Sequence, residues 1–147
     1  RKDTLRGASE YFVVVNNQEG KRYTDNAQLR HLTLSPNGLR VAYEVVNAHA
    51  NFAVIDGQEQ KKYYGSGVYG FMFSPDSQHI AYIVIPGQSP RGLHLTRFVV
   101  LDGQEGPLYE GISDELTFTP DGTKLMYKVG KIGTDQRFWS TITTPVL

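Results

Sequence analysis

Polar and apolar residues alternate in short runs along most of this chain, and the pattern is clearest towards its C-terminal end. Glu115-Leu-Thr-Phe-Thr119 and Lys124-Leu-Met-Tyr-Lys-Val129 both alternate as half-buried strands do. Between them, Pro120-Asp-Gly122 supplies a proline pre-set for a turn and a glycine free to take positive φ, so the two runs predict a β-hairpin. Arg97-Phe-Val-Val-Leu101 is rich in β-branched and aromatic residues, Asp102-Gly103 is a strong type I′ turn signal, and Pro107-Leu-Tyr109 begins a returning strand. That predicts a second hairpin. No long window keeps an apolar stripe at helical spacing, and β-branched residues crowd the apolar positions, which disfavours helices.

The same phrases recur. Phe12-Val-Val-Val-Asn-Asn-Gln-Glu-Gly20, Phe52-Ala-Val-Ile-Asp-Gly-Gln-Glu-Gln60 and Phe98-Val-Val-Leu-Asp-Gly-Gln-Glu-Gly106 are three copies of one strand and turn. Each is followed by a second phrase, Leu34-Ser-Pro-Asn-Gly38, Phe73-Ser-Pro-Asp-Ser77 or Phe118-Thr-Pro-Asp-Gly122, and then by Val41-Ala-Tyr43, Ile80-Ala-Tyr82 or Leu125-Met-Tyr127. The prolines at 36, 75 and 120 stand 39 and 45 residues apart, a period that belongs to propeller blades or helical-pair solenoids. The strand patterning chooses the first.

Two hairpins per repeat make a four-stranded antiparallel sheet, the blade of a β-propeller, so the predicted class is all-β. The repeats fall at about 28–65, 67–111 and 114–143 within one domain, 1–147. The predicted strands are 29–34, 40–46, 52–56 and 61–64 in the first, 69–73, 79–85, 97–101 and 107–109 in the second, and 115–119, 124–129 and 137–143 in the third. The third lacks a fourth strand, while 11–15 and 21–23, within 11–25, read as the outer pair of a blade with no inner pair before it. Closure within one chain gives three blades, below the usual four to eight, whereas two chains exchanging terminal strands give a six-bladed ring. Unpaired edges at both ends are otherwise an aggregation hazard, so the expected arrangements are a head-to-tail homodimer or a piece of a longer propeller.

Composition narrows the partners. The 147 residues carry 15 Lys plus Arg against 15 Asp plus Glu, a balance that gives no field for nucleic acid or an anionic membrane surface. Hydrophobic content of 39% with 12% aromatics suits a soluble β domain, and no apolar run approaches the roughly 18 residues of a membrane span. The absence of cysteine excludes disulfides, thiolate metal sites and a cysteine nucleophile.

The phrases Phe73-Ser-Pro-Asp-Ser-Gln-His-Ile-Ala-Tyr82 and Phe118-Thr-Pro-Asp-Gly-Thr-Lys-Leu-Met-Tyr127 resemble the WD-like repeats of TolB-type bacterial propellers, and Phe98 to Gly106 resembles the strand-turn that accompanies them. The resemblance spans Phe12 to Trp139. It implies a propeller fold and a periplasmic or other extracytoplasmic location. It specifies little about function, since such propellers serve as binding platforms, enzyme-associated domains and scaffolds. The first copy departs from the pattern with Asn16-Asn17 and Asn37, which still suit turns.

The recurring carboxylates Asp56, Asp102, Glu59 and Glu105 read as turn residues, because identical places in successive repeats spread them out instead of converging on one reacting atom. His31, His49, His79 and His94 share no ligand spacing, and no serine sits in Gly-x-Ser-x-Gly, so no metal, cofactor or catalytic residue is assigned. Tyr43, Tyr82 and Tyr127, with Phe73 and Phe118, read as core.

What differs between copies is more telling. The step from Tyr82 to Phe98 is 16 positions, against 9 from Tyr43 to Phe52 and 11 from Tyr127 to Phe138, so Pro86-Gly-Gln-Ser-Pro-Arg-Gly92 with His94 is an insertion and a candidate contact loop. In a blade this loop shares a face with the entry to each inner strand. That face gathers Arg30, His49, Tyr69, Arg91, His94 and Glu115 as candidate binding residues, with Gln28, Asn47, Asp114 and Lys131 beside them. Arg and Tyr are preferred anchors in protein recognition. The expected function is a non-enzymatic platform for a protein or peptide. A carbohydrate-binding propeller is the alternative, and a hydrolase-like enzyme with a channel site comes third.

Overall fold

The strand-and-turn phrases of the sequence become sheets in the computed structural model, which describes residues 9–24, 26–64, 67–87, 96–113, 115–132 and 137–147, leaving aside the side chains of 131–132 and 137–140. Every helix or strand among these residues is a strand, and all pairing between strands is antiparallel. A short hairpin, β1 (Val14–Val15) with β2 (Gln18–Glu19), comes first. The first sheet is β3 (Gln28–Leu34), β4 (Val41–Val46), β5 (Asn51–Ile55) and β6 (Gln58–Glu59), ordered as in sequence. The second is β7 (Gly67–Phe73), β8 (Ile80–Ile85), β9 (Phe98–Leu101) and β10 (Gln104–Glu105). In the third, β11 (Gly111–Ile112) and β12 (Thr117–Phe118) both pair with β13 (Lys124–Ile132), whose other edge carries β14 (Arg137–Pro145).

Two repeated turns explain the repeated phrases. Asp56-Gly57 and Asp102-Gly103 both have positive φ at each position, as a type I′ turn requires, and Asn16-Asn17 meets the same requirement with two asparagines. The Asp side chain then reaches back to the second strand: Asp56 Oδ1 accepts the Val41 N–H at 2.9 Å and Asp102 Oδ1 the Ile80 N–H at 3.0 Å. In the Ser/Thr-Pro-Asp/Asn turn, Ser35, Ser74 and Thr119 each donate to the Asn37, Asp76 or Asp121 side chain two residues on. Each of those hydroxyls also accepts a backbone N–H five residues on, from Arg40, His79 or Lys124. The hydroxyl and backbone donors hold the Asp121 carboxyl down at about 2.

The sheets stack face to face. The second strands β4 and β8 are buried on both sides, so alternate residues feed different cores. Tyr43 and Val45 pack with Phe52 and Tyr23 against the N-terminal hairpin, while Ala42 packs with Ile55, Phe73 and Tyr82 between the first and second sheets. Ala81 and Ile83 join Phe118, Leu125 and Tyr127 between the second and third. The core assignments of Tyr43, Tyr82, Tyr127, Phe73 and Phe118 therefore hold.

Some strand boundaries differ from expectation. The fourth strands begin at Gln58 and Gln104, directly after the turn, and 61–64 and 107–109 contribute only the bridges from Tyr63 to Asn51 and from Tyr109 to Arg97. The same break falls at Lys61-Lys62 in the first sheet and at Pro107-Leu108 in the second, with matching hydrogen bonds on either side, so it belongs to the repeat and not to the proline. The first strand of the third sheet starts at Gly111 and not at 115, because the Gly111 and Ile112 pairings with Gly130 and Val129 repeat those of Gln28 and Leu29 with Val46 and Val45.

Neighbouring sheets are also fastened along their outer edges. Glu59 accepts from Lys21 at 2.6 Å and from the Tyr23 hydroxyl at 3.2 Å, and Glu105 accepts from Lys61 at 2.6 Å and from Tyr63 at 2.8 Å. The lysine and tyrosine belong to one unit and the carboxylate to the next. The lysine ion pairs hold both carboxyls below the usual range, and burial pushes both tyrosine hydroxyls up.

Candidate functional site

The first strands of the first and second sheets carry the same irregularity. Register shifts between Arg30 and Thr33 and between Tyr69 and Met72, where His31 and Gly70 have φ of 56° and 69°. Glycine takes that conformation freely, whereas a histidine there is uncommon. Such bulges re-aim side chains and cluster beside sites. The bulge in the first sheet sits beside a buried carboxylate.

The carboxylate is Glu44 on β4, with only 3% of its side chain exposed. One oxygen accepts the Val68 N–H of the second sheet at 2.8 Å, and the other lies 3.7 Å from His31 Nε2. Burial pushes the Glu44 carboxyl up, and the Val68 amide, His31 and Arg30 oppose that rise. Arg30, opposite Glu44 in the strand pairing, is exposed and donates through Nε and Nη2 to the Gln28 side chain. On the second sheet, next to Val68, the Tyr69 hydroxyl accepts from Arg97 Nη1 at 2.7 Å. Arg30, His31, Glu44 and the Val68 amide thus form one polar group between the first and second sheets, whereas Tyr69 and Arg97 pair on the other face of the second sheet, beside the core it shares with the third. A desolvated carboxylate with named charge partners marks such a place as a candidate site.

The other expected site residues distribute as follows. His49 is exposed in the β4–β5 turn, which Asn47 orders by accepting the His49 and Ala50 N–H groups at 2.9 and 2.8 Å. Arg91, His94 and Asp114 lie outside the described residues, as does the Lys131 side chain. Glu115 is exposed and borders a shallow depression on the third sheet with Thr117, Met126, Lys128 and Thr141. It does not match Arg30 and Tyr69, because the register places Ser113, bonded to Lys128, at their position. Glu115 lies two positions after Ser113, and one of the two comes from an extra residue between Ser113 and Thr117 compared with Arg30 to Thr33 and Tyr69 to Met72.

His31, Glu44 and Arg97 were not singled out by sequence reasoning. Glu44 had a readable signal, a lone carboxylate inside Val41-Ala-Tyr-Glu-Val-Val46, where the second copy has isoleucine. The inter-sheet clasp also had one: Glu19-Gly-Lys-Arg-Tyr23, Glu59-Gln-Lys-Lys-Tyr63 and Glu105-Gly-Pro-Leu-Tyr109 are a fourth repeated phrase.

A Ser-His-Asp grouping does occur at Ser74, His79 and Asp102, with His79 Nδ1 2.7 Å from Asp102 Oδ2. It is a turn fastening and not a nucleophile with its base. The Ser74 hydroxyl is engaged by Asp76 and by the His79 backbone, and Arg40 occupies the histidine's place in the first sheet, bonded to Asp56 at 2.8 Å. Among the described residues no three His, Cys, Asp or Glu side chains are grouped to hold a metal ion. No family model, curated protein or solved structure matches the chain.

Proposed function

We propose that the three repeats are blades of a β-propeller and that the protein is a non-enzymatic platform for a protein or peptide, recognised where the first strands begin. The observation that carries this reading is the contrast between the two ends of the sheets. One end repeats the same Ser/Thr-Pro-Asp/Asn turn three times, whereas the other places Arg30, Tyr69 and Ser113 at one register position. A rigid frame with non-equivalent side chains at one end is how loop-bearing scaffolds encode a partner. Exposed arginine and a tyrosine held by Arg97 are suitable anchors. A sugar bound by avidity calls for an equivalent aromatic in every repeat, which this position lacks.

The test is affinity capture from native extract with the immobilised full chain, quantified by mass spectrometry. The Arg30→Glu, Tyr69→Ala double variant should deplete at least one captured protein tenfold or more. Asp121→Asn, at the opposite end, should leave that protein's recovery unchanged. Identical capture by all three forms contradicts the reading.

A further inference from the structure

Glu44 has no counterpart in the other repeats. The residue at its place is Ile83 in the second sheet, paired with Tyr69, and Lys128 in the third, bonded to Ser113. Ile83 packs into the core between the second and third sheets, so the fold does not need a carboxylate at this position. In the first sheet Glu44 lies on the same side of β4 as Ala42, facing the second sheet, with 3% of its side chain exposed. Taking a charge out of water costs free energy unless new hydrogen bonds replace those to water. Glu44 recovers little of that. One oxygen accepts the Val68 amide, and the other faces His31 Nε2 at 3.7 Å, beyond hydrogen-bond length.

His31 is out of pattern too. It takes a φ of 56° at the bulge where the second sheet has Gly70. Half of its side chain is exposed, so its ring exchanges protons with solvent while it faces a carboxylate that solvent hardly reaches. The other charged neighbour among the described residues is Arg30 on the same strand, which donates to Gln28. On the far side of Glu44, β5 places Ala53, and β7 brings the Val68 main chain. Tyr63 and Tyr82 share the core between the two sheets, but burial pushes both hydroxyls up and they stay neutral at physiological pH.

We propose that Glu44 and His31 form a proton-binding site at the joint between the first and second sheets, and that loss of the proton weakens this joint. With a proton on the pair, the sheets enclose either a neutral carboxyl or a carboxylate facing an imidazolium. Without it they enclose a carboxylate beside a neutral ring. Burial is the largest influence on the Glu44 carboxyl and raises it, so the folded chain holds the carboxyl proton more tightly than the unfolded chain does. A carboxyl raised in this way contributes its full stability below its unfolded value, and that contribution is lost as the pH rises through the folded value. The site borders Arg30, at the end of the sheets proposed for a partner, but it needs no partner to act.

Two measurements on the full chain test it. Followed by carbon NMR as the pH is raised, the Glu44 carboxyl should titrate above the roughly 4.3 of a glutamate in an unfolded chain. His31→Asn, which removes the imidazole but keeps a residue that tolerates positive φ, should move that midpoint higher still. Urea unfolding supplies the second reading. Glu44→Gln keeps an oxygen for the Val68 amide and has no proton to lose, so its urea midpoint should nearly match that of the unaltered chain at pH 4 and exceed it at pH 8. The carboxyl titration needs no altered chain, so the inference stays testable if a variant fails to fold. A Glu44 midpoint at or below the unfolded value, or one that His31→Asn leaves unmoved, overturns the inference. So does a difference between Glu44→Gln and the unaltered chain that is the same at both pH values.

Discussion

Truncating Tyr82 to alanine lowers the stability of the chain by about 3–5 kcal/mol. Tyr82 is 2% exposed, its ring centroid lies 5.3 Å from that of Phe71, and it stands in the core between the first and second sheets. The close-packed faces on either side belong to different sheets and cannot collapse into the space without shifting relative to one another. A loss of that size is a large share of the roughly 5–15 kcal/mol that holds a typical domain folded. Tyr82→Phe should be nearly neutral, because the hydroxyl, pushed up to about 12 by burial and then by Glu105, stays neutral and the ring supplies the packing. Urea unfolding followed by circular dichroism measures both. A loss below about 1 kcal/mol for Tyr82→Ala, the size of an ordinary substitution, contradicts face-to-face stacking at this position.

Asp102→Ala should cost about 2 kcal/mol, combining one lost hydrogen bond to Ile80 with a left-handed backbone that alanine adopts poorly. Asn at the same position should be nearly neutral, since Asn16 already occupies the equivalent turn with φ of 50° and an amide oxygen can still accept from Ile80. Glycine should fall between the two, keeping the backbone freedom and losing the acceptor. The same urea midpoints rank the three variants. If asparagine is as damaging as alanine, the carboxylate charge is what the position requires, and the pairing with His79 then matters more than an exposed pair should.

Turn chemistry made the fold legible in the sequence. Asp-Gly and Ser-Pro-Asp phrases state their φ requirements locally, so the hairpins and the order of strands in each sheet could be read before any contact was known. The boundaries that were missed depend on information elsewhere in the chain. Gly111 belongs to a strand because Gly130 lies opposite it, and Gln58 pairs immediately because the turn before it closes in two residues. Of the candidate site, Arg30 and Tyr69 were found by counting along aligned repeats. Glu44 and His31 were passed over because alternation marks a residue as facing a core without saying that a neighbouring sheet brings an amide to meet it. Glu115 was misplaced because it stands two positions after Ser113, which strand pairing and not sequence spacing puts in register with Arg30 and Tyr69.

The two ends of the stack differ in chemistry. The first sheet exposes Leu32 and Leu34 on the side of the N-terminal hairpin, whereas the third exposes threonines and Lys128. The Glu–Lys–Tyr clasp follows the same direction, each carboxylate receiving the tyrosine of the unit before it.

Residue-resolved amide hydrogen exchange on the free chain is the most direct test of three equivalent sheets packed on one another. Three separate maxima of protection are expected, in Val41–Val46, in Ile80–Ile85 and in the 125–129 part of β13, with faster exchange at the bulges near His31 and Gly70. Protection confined to one of these segments, or slowest exchange in the first or fourth strands, would contradict the stacked-sheet account.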